Sequence, residues 1–231
     1  MFKQLKKKIR GRIKKKFLKM PIVPTDRSNI PASLNENFNR VLALNPRVTS
    51  FQEHVALFTL SSMVKGSIIE VGCYLCYSSI LMASAFRSPD RKLYAIDLFD
   101  REKGWKGGGT DSWIYRDFSQ QEFAEKIVAD GGFQDTIKVI QGPSGEVVDQ
   151  VADIPDIGMI FIDGDHSHEG CMKDLLSYAP LVSAGGLLVM DDYAARSHPG
   201  VKSAVDEYLS KHSEFEVMFL LGQMLVLKKQ D

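Results

Sequence analysis

The sequence has few cysteines and no long apolar run. Three cysteines in 231 residues, Cys73, Cys76 and Cys171, do not make the disulfide framework of a secreted fold. No stretch reaches the roughly 20 apolar residues that a membrane-spanning helix needs. The basic N-terminus also lacks the apolar core and cleavage site of a signal peptide. These absences predict a cytoplasmic protein, and the length suits one large domain.

Acidic residues are missing from the first 20 positions, which hold ten of the 29 lysines and arginines. The remainder therefore carries 19 basic against 29 acidic residues, a net charge of −10. Leu5, Ile9, Ile13 and Phe17 recur at spacing four among the lysines, which predicts a helix with a narrow apolar stripe. We expect residues 1–33 to form a basic amphipathic helix and linker, and residues 34–231 a separate domain.

Three roles are open for the basic segment. It is a solvated tail, a peripheral attachment to anionic lipid on the inner face of the membrane, or an arm that binds a polyanion. The aligned apolar residues favour attachment of residues 1–20 to the membrane. No aromatic residue interrupts the lysine run, which argues against nucleic acid because base stacking has no platform there.

From Ser67 onward, apolar runs alternate with helical patterns, as in a parallel sheet with crossover helices. Strands are predicted near 67–72, 92–97, 137–141, 157–163 and 185–191, and helices near 34–43, 50–64, 77–87, 116–130, 168–179 and 200–212. Residues 103–112 read as a glycine-rich loop. Glu214–Leu220 and Gln223–Lys228, joined at Leu221-Gly222, read as a hairpin. We predict an α/β fold with a Rossmann-like seven-stranded, mostly parallel sheet, a C-terminal antiparallel hairpin, and helices on both faces.

Carboxylates end two of the apolar runs. Ile160-Phe-Ile leads into Asp163 and His166, and Leu187-Leu-Val-Met leads into Asp191 and Asp192. Ligands of open α/β sheets bind beyond the carboxyl ends of the strands, so these side chains are expected to converge. Three carboxylates beside an imidazole suggest a hard divalent cation next to a general base. His168, two residues further on, is the rival for the base.

The first strand ends in Gly72 and turns directly into a helix, where free backbone N–H groups can approach a ligand. The dinucleotide fingerprint G-x-G-x-x-G is absent, which argues against a nicotinamide or flavin cofactor. Asp97 ends the second strand, where an acid suits ribose hydroxyls. Cys73-x-x-Cys76 lacks the context of a redox or zinc motif, so buried thiols are expected there.

These residues resemble the class I S-adenosylmethionine-dependent methyltransferases, in particular the metal-dependent O-methyltransferases of the catechol type and of the macrocin-type sugar branch. Glu70-Val-Gly72 with the following tyrosine and serine resembles the catechol type's glycine turn, and Gly142-Pro-Ser144 resembles its turn beside the adenine. The resemblance covers about residues 67–228. The residues that it assigns to the cofactor site are Glu70, Gly72, Tyr74, Ser78, Asp97, Ser144 and Asp163.

Asp163-Gly-Asp-His166 resembles the sugar branch, where the first Asp binds metal and the His is the catalytic base. The resemblance thus implies a Mg²⁺-like ion on Asp163, Asp191 and Asp192. Cys76 departs from the family pattern, since it replaces the second glycine of the cofactor turn. If the backbone there needs a positive φ, Cys76 introduces strain.

The expected activity is transfer of a methyl group from S-adenosylmethionine to a hydroxyl of a sugar or glycosylated metabolite, so the acceptor is a small molecule or glycan. Two alternatives stay open. One is an enzyme on the same fold that resembles the antibiotic-tailoring hydroxylases. The other is a catalytically silent, membrane-tethered subunit of a polysaccharide assembly complex. Assembly into a homo-oligomer is left open by the sequence.

Overall fold

The computed structural model describes residues 51–103 and 117–231. The predicted basic helix and linker, the domain boundary after residue 33, the helix at 34–43 and most of the loop at 103–112 lie outside the described residues. Among the described residues, none of the helices combines the length and the apolarity that a bilayer crossing requires.

Strands and helices alternate through most of the described chain. The strands are β1 (Ser67–Val71), β2 (Leu93–Asp97), β3 (Ile137–Gln141), β4 (Ile157–Ile162), β5 (Leu187–Met190), β6 (Phe215–Leu221) and β7 (Met224–Lys229). The helices are α1 (Phe51–Met63), α2 (Tyr77–Ala83), α3 (Gln120–Asp130), α4 (Ser144–Val147), α5 (His168–Tyr178) and α6 (Pro199–Lys211). Short 3₁₀ turns follow α4 at Val148–Gln150 and α5 at Ala179–Leu181.

The strands form one seven-stranded sheet in the order β3-β2-β1-β4-β5-β7-β6. The first five pair in parallel, and β7 pairs antiparallel with both β5 and β6. The predicted fold class is confirmed. The strand order reverses between β1 and β4, and a reversal of this kind opens a crevice at the carboxyl ends of the strands.

Both faces of the sheet are covered, because crossover helices must pack on each side of a parallel sheet. All six residues of β4 are buried. One core lies on the face that carries α1, α2 and α3, with Leu57 and Leu81 in it. The other lies beneath α5 and α6, with Leu175 and Val205 in it. The central strands are therefore enclosed, and their polar residues are confined to their ends.

Several predicted boundaries were wrong by one to four residues. Helix α2 ends at Ala83 rather than at 87, because the N–H groups of Ala85 and Phe86 donate to carbonyls three residues back and Pro89 follows. Helix α3 begins at Gln120 rather than at 116, because Ser119 and Glu122 form a capping box. The hairpin turn is Gly222-Gln223, one residue later than predicted, since Leu221 pairs with Met224.

Candidate active site

Gly72 brings the end of β1 against the end of β4. Its φ is 88°, and a Cβ atom there would lie 2.1 Å from the carbonyl oxygen of Asp163. The Asp163 N–H donates to the Val71 carbonyl at 2.8 Å, which fixes the two strand ends together. Only glycine fits this backbone without displacing a neighbouring chain. The predicted cofactor turn and the first predicted metal ligand are thus in direct contact.

Glu70 lies behind this turn and is fully buried. Its two carboxylate oxygens accept hydrogen bonds from the hydroxyls of Ser78 and Ser79, in the first turn of α2. Burial raises the pKa of Glu70 to about 8, against the lowering effect of the two serine hydrogen bonds. Two of the predicted cofactor residues, Glu70 and Ser78, therefore join β1 to the start of α2.

Asp97 ends β2 on the other side of the turn. Its Oδ2 accepts the Tyr74 N–H at 2.7 Å, and its Oδ1 accepts the Phe99 N–H at 3.0 Å. Burial is the main cause that raises the pKa of this carboxyl. The hydroxyl of Tyr74 accepts a hydrogen bond from Arg101 at 3.1 Å. The acid predicted to hold ribose is therefore fixed in place beside the predicted cofactor tyrosine.

Cys76 has the left-handed backbone that the glycine of the family pattern would favour, with φ 61° at the N-cap of α2. The strain predicted for this substitution is present. Its sulfur lies 3.6 Å from that of Cys73, and both side chains are buried. Cys171, the third cysteine, is also buried. Burial raises the pKa of Cys73 well above its ordinary value, which makes it a poor nucleophile.

Ser144, predicted beside the adenine, begins α4 just after β3. Its hydroxyl donates to Asp174, and its carbonyl accepts the Tyr178 hydroxyl at 2.6 Å. Asp174 is buried, and burial raises its pKa. The structure therefore ties the Ser144 side chain to α5, and the predicted contact with adenine stays a prediction.

The three predicted metal ligands follow the ends of β4 and β5, but the group of possible donor atoms that lies within 4.8 Å contains Asp192 with His166 and His198, and neither Asp163 nor Asp191. The Asp191 N–H donates to the Ile162 carbonyl at 3.0 Å, which aligns the two strand ends. Burial, followed by the charge of Asp163, raises the pKa of Asp191 to about 7. Burial also raises the pKa of Asp163, and the charge of Asp192 adds to that rise. Half-buried carboxylates that repel one another are a donor set that a hard cation would neutralise.

His166 faces this acidic group. Its Nε2 lies 3.4 Å from Asp163 Oδ1 and 3.2 Å from Asp192 Oδ2. The hydrogen bond to Asp163 is the main cause that raises the pKa of His166, and burial opposes it. His168 points elsewhere, since its ring nitrogens contact Ser203 and Glu207. Of the two candidate bases, the structure brings His166 to the aspartates.

Two residues of the site were missed by the sequence analysis. His198, just before α6, places its Nδ1 2.8 Å from Asp192 Oδ2 and stacks on His166 with ring centroids 4.2 Å apart. Glu53 of α1 is buried, accepts the Gln223 N–H at 2.9 Å, and adds to the charge that raises the pKa of Asp191. Neither follows a strand, so neither carries the strand-end signal that identified the aspartates.

Comparison with known proteins identifies the family of this chain. A family model described as a methyltransferase domain matches residues 69–193, more than half of the chain. The chain belongs to this family. The resemblance to class I S-adenosylmethionine-dependent O-methyltransferases is thereby confirmed.

Individual relatives of the methyltransferase are distant. Demethyldecarbamoylnovobiocin O-methyltransferase of Streptomyces niveus is 26% identical over 175 residues, which are 66% of this chain and 61% of that protein. The O-methyltransferase NovP has a TM-score of 0.62 at 21% identity, with 78% of this chain and 80% of that chain covered. The O-methyltransferase TomG of Streptomyces achromogenes, in complex with SAM, has a TM-score of 0.60 at 20% identity, with 91% and 92% covered. These two structures support the fold.

Proposed function

We propose that this methyltransferase transfers a methyl group from S-adenosylmethionine to a hydroxyl of a sugar or glycosylated metabolite, with the help of a divalent cation. The observation that carries the proposal is the contact between the glycine turn and the acidic group, where the position of a Gly72 Cβ falls 2.1 Å from the Asp163 carbonyl. A cofactor on that turn would lie beside Asp163, Asp191, Asp192 and His166. A relative named for demethyldecarbamoylnovobiocin and an S-adenosylmethionine complex of TomG support the reaction class.

The residues around the turn fit S-adenosylmethionine. Asp97, whose carboxylate is fixed by the Tyr74 and Phe99 N–H groups, would meet the ribose hydroxyls as the acid of dinucleotide sites does. Glu70 acts indirectly, because its two oxygens accept hydrogen bonds from Ser78 and Ser79 and so fix the first turn of α2. Cys76 keeps the turn in the backbone conformation that a glycine would otherwise supply.

The residues at the ends of β4 and β5 fit the acceptor and the proton. When bound, S-adenosylmethionine supplies a methyl group on a positive sulfur, and a divalent cation supplies charge that lowers the pKa of a nearby hydroxyl. Asp163, Asp191 and Asp192 would hold that cation. His166 Nε2 would accept the hydroxyl proton as the oxygen bonds to the methyl carbon and the carbon–sulfur bond breaks. Holding the two reactants in line supplies much of the acceleration.

Methyl transfer from labelled S-adenosylmethionine to a panel of sugars and glycosylated metabolites tests the proposal. We expect label in the acceptor, loss of transfer in chelator, and recovery with Mg²⁺ or Mn²⁺. His166→Ala should lower kcat by roughly 10²–10⁴, the usual contribution of a positioned base. His168→Ala is the matched control and should retain activity, because its ring contacts Ser203 and Glu207.

Each alternative predicts a different result. Full activity in chelator would contradict the role of the cation, and a larger loss in His168→Ala would contradict the choice of base. Cofactor binding without transfer to any acceptor would favour a silent subunit. Oxidation of an acceptor without transfer of label would favour a hydroxylase-like reaction.

A further inference from the structure

Two imidazoles flank one carboxylate oxygen at the edge of the site. His166 lies in the loop after β4, Asp192 follows β5, and His198 precedes α6. Asp192 Oδ2 is 3.2 Å from His166 Nε2 and 2.8 Å from His198 Nδ1. A carboxylate oxygen and two ring nitrogens, one from each residue, all lie within 4.8 Å of one another. The loop after β4 and the loop between β5 and α6 thus bring three ligand atoms together.

The packing of α6 holds this arrangement in place. Gly200, in the first turn of α6, approaches the loop so closely that a Cβ there would lie 2.5 Å from the His166 carbonyl oxygen. The two imidazole rings stack with an interplanar angle of 22°. The Val201 N–H donates to the His198 carbonyl at 3.2 Å, which continues α6 back to this residue. The rings are therefore positioned by the backbone on both sides.

We propose that His166, Asp192 and His198 bind a borderline divalent cation, of the class of Zn²⁺ and Co²⁺. Imidazole nitrogen with one carboxylate suits these metals, whereas Mg²⁺ prefers oxygen ligands alone. At metal–ligand distances of about 2.0–2.1 Å, neighbouring ligand atoms lie roughly 2.9–3.4 Å apart, close to the spacing at Asp192. The side chains are 38%, 18% and 37% exposed for His166, Asp192 and His198, so an ion can enter from solvent.

Two kinds of cation then select different parts of one cluster. A hard cation uses the oxygens of Asp163, Asp191 and Asp192, and a borderline cation uses the two nitrogens with Asp192. Binding of a borderline cation does not depend on the proposed methyl transfer. The effect of that cation on catalysis does rest on the proposed function. While His166 Nε2 is a metal ligand it cannot accept a proton, so a borderline cation at this site would oppose the proposed reaction.

Direct binding to the full-length, metal-free protein tests the site without cofactor or acceptor. Co²⁺ is followed by its visible absorption, and Zn²⁺ and Mg²⁺ by calorimetry. His198→Asn and His166→Asn should each weaken binding of Co²⁺ and Zn²⁺ at least about tenfold, because losing even a residue that only supports a ligand costs roughly 10–100-fold in metal affinity. Asp191→Asn should weaken Mg²⁺ more than Co²⁺. His168→Asn is the control and should bind all three ions as the parent does. Circular dichroism verifies that each variant is folded.

The outcomes separate clearly. Nitrogen-ligand absorption by Co²⁺ that is lost in His198→Asn but kept in His168→Asn supports the site. Equal Co²⁺ and Zn²⁺ affinity in the parent and in folded His198→Asn overturns it, as does a dependence of both ions on Asp191 alone. Because no methyl transfer is measured, failure of the proposed reaction would leave the binding result standing, and failure of binding would leave the reaction untouched.

Discussion

At the residue scale, the enclosed carboxyl of Glu70 makes stability depend on pH. Its folded pKa is about 8 against an ordinary 4.5, so the folded chain keeps a proton that the unfolded chain has released. The stabilisation that this retained proton provides is complete below about pH 4.5 and is lost as pH rises towards 8. Over that window the free energy of unfolding falls by at most ~1.4 kcal/mol per pH unit. We expect the free energy of unfolding to fall over this window by a few kcal/mol.

Glu70→Gln isolates this contribution, because the amide stays neutral at every pH. Urea unfolding of both proteins without cofactor, at intervals from pH 5 to 8, gives the difference in stability. That difference should move steadily in favour of the variant as pH rises. Other groups, such as Asp191 with its pKa of about 7, titrate in both proteins and largely cancel. A difference that stays constant with pH would show that Glu70 is ionised throughout.

Asp97 is the residue on which cofactor affinity should depend most directly. It presents a carboxylate to the proposed ribose position and also holds the Tyr74 and Phe99 N–H groups. Asp97→Ala should weaken S-adenosylmethionine binding by about 1.5–3 kcal/mol, the contribution of hydrogen bonds to a charged group. Calorimetry measures this. Asp100→Ala, an exposed acid three residues on, is the control. Equal affinity in both variants would remove Asp97 from the site.

The residues that sequence could identify were those at the ends of strands. Asp97, Asp163 and Asp191 each terminate an apolar run, and parallel pairing then brings them to one edge. His198 and Glu53 reach the same edge from elements whose position depends on tertiary packing. A histidine before a proline, or an acid within a helix, has no local pattern that distinguishes it from a surface residue. Their contacts to Asp192 and Gln223 became visible only in three dimensions.

At the element scale, the junction of β1 and β4 should tolerate no side chain at Gly72. Gly72 and Gly132 have similar φ values, 88° and 79°, but a Cβ at Gly132 would meet nothing within 4 Å. Alanine at either position should lower the free energy of unfolding by about 1–2 kcal/mol, because its Cβ disfavours the left-handed backbone. Gly72→Ala should lose about 1–3 kcal/mol more through its clash with the Asp163 carbonyl.

Urea unfolding of the two glycine variants measures this difference. Because Gly132→Ala carries the same conformational cost, the excess loss in Gly72→Ala reports the close approach of the strands alone. Equal losses would mean that the two strand ends can separate without cost, and the cofactor turn would then not be fixed by β4.

Element types followed from periodicity more reliably than element ends. The run 157–163 was recognisable as a buried strand because every position is apolar until Asp163. The end of α2 and the start of α3 were not recognisable from the sequence, because the mixture of apolar and polar residues continues past both helix ends. Their limits are set by the hydrogen bonds of the Ala85 and Phe86 N–H groups and by the capping box of Ser119. Such local bonds compete closely with one more helical turn, and composition does not decide between them.

At the scale of the whole molecule, charge is distributed unevenly along the chain. The first 20 residues carry ten of the 29 basic residues and no acid. We expect this segment to attach the protein to anionic membrane, with each basic residue near the surface contributing about 1 kcal/mol. Deleting residues 1–20 should abolish co-sedimentation with anionic vesicles at low salt and leave thermal stability and methyl transfer unchanged.

Neutral vesicles and raised salt are the controls, since both remove the electrostatic attraction. If the full-length protein stays in the supernatant with anionic vesicles at low salt, a solvated tail or a polyanion-binding arm is the better account.

The fold class was the most predictable property of the molecule, since alternating strands and helices are typical of a mostly parallel sheet with crossover helices. The strand order, with its reversal between β1 and β4, was not predicted from the sequence and is seen only in the sheet itself. The two-faced core followed from the near-continuous apolar strands, of which β4 is the clearest case.

The position of β7 has a consequence during synthesis. Because β7 inserts between β5 and β6, the β5 edge beside Asp191 has no partner until residues 224–229 have left the ribosome. A nascent chain that pauses before Met224 would present a bare apolar strand, which is a template for pairing with other chains. Residues 224–229, which carry none of the proposed catalytic groups, are thus needed to cover the strand that leads into Asp191.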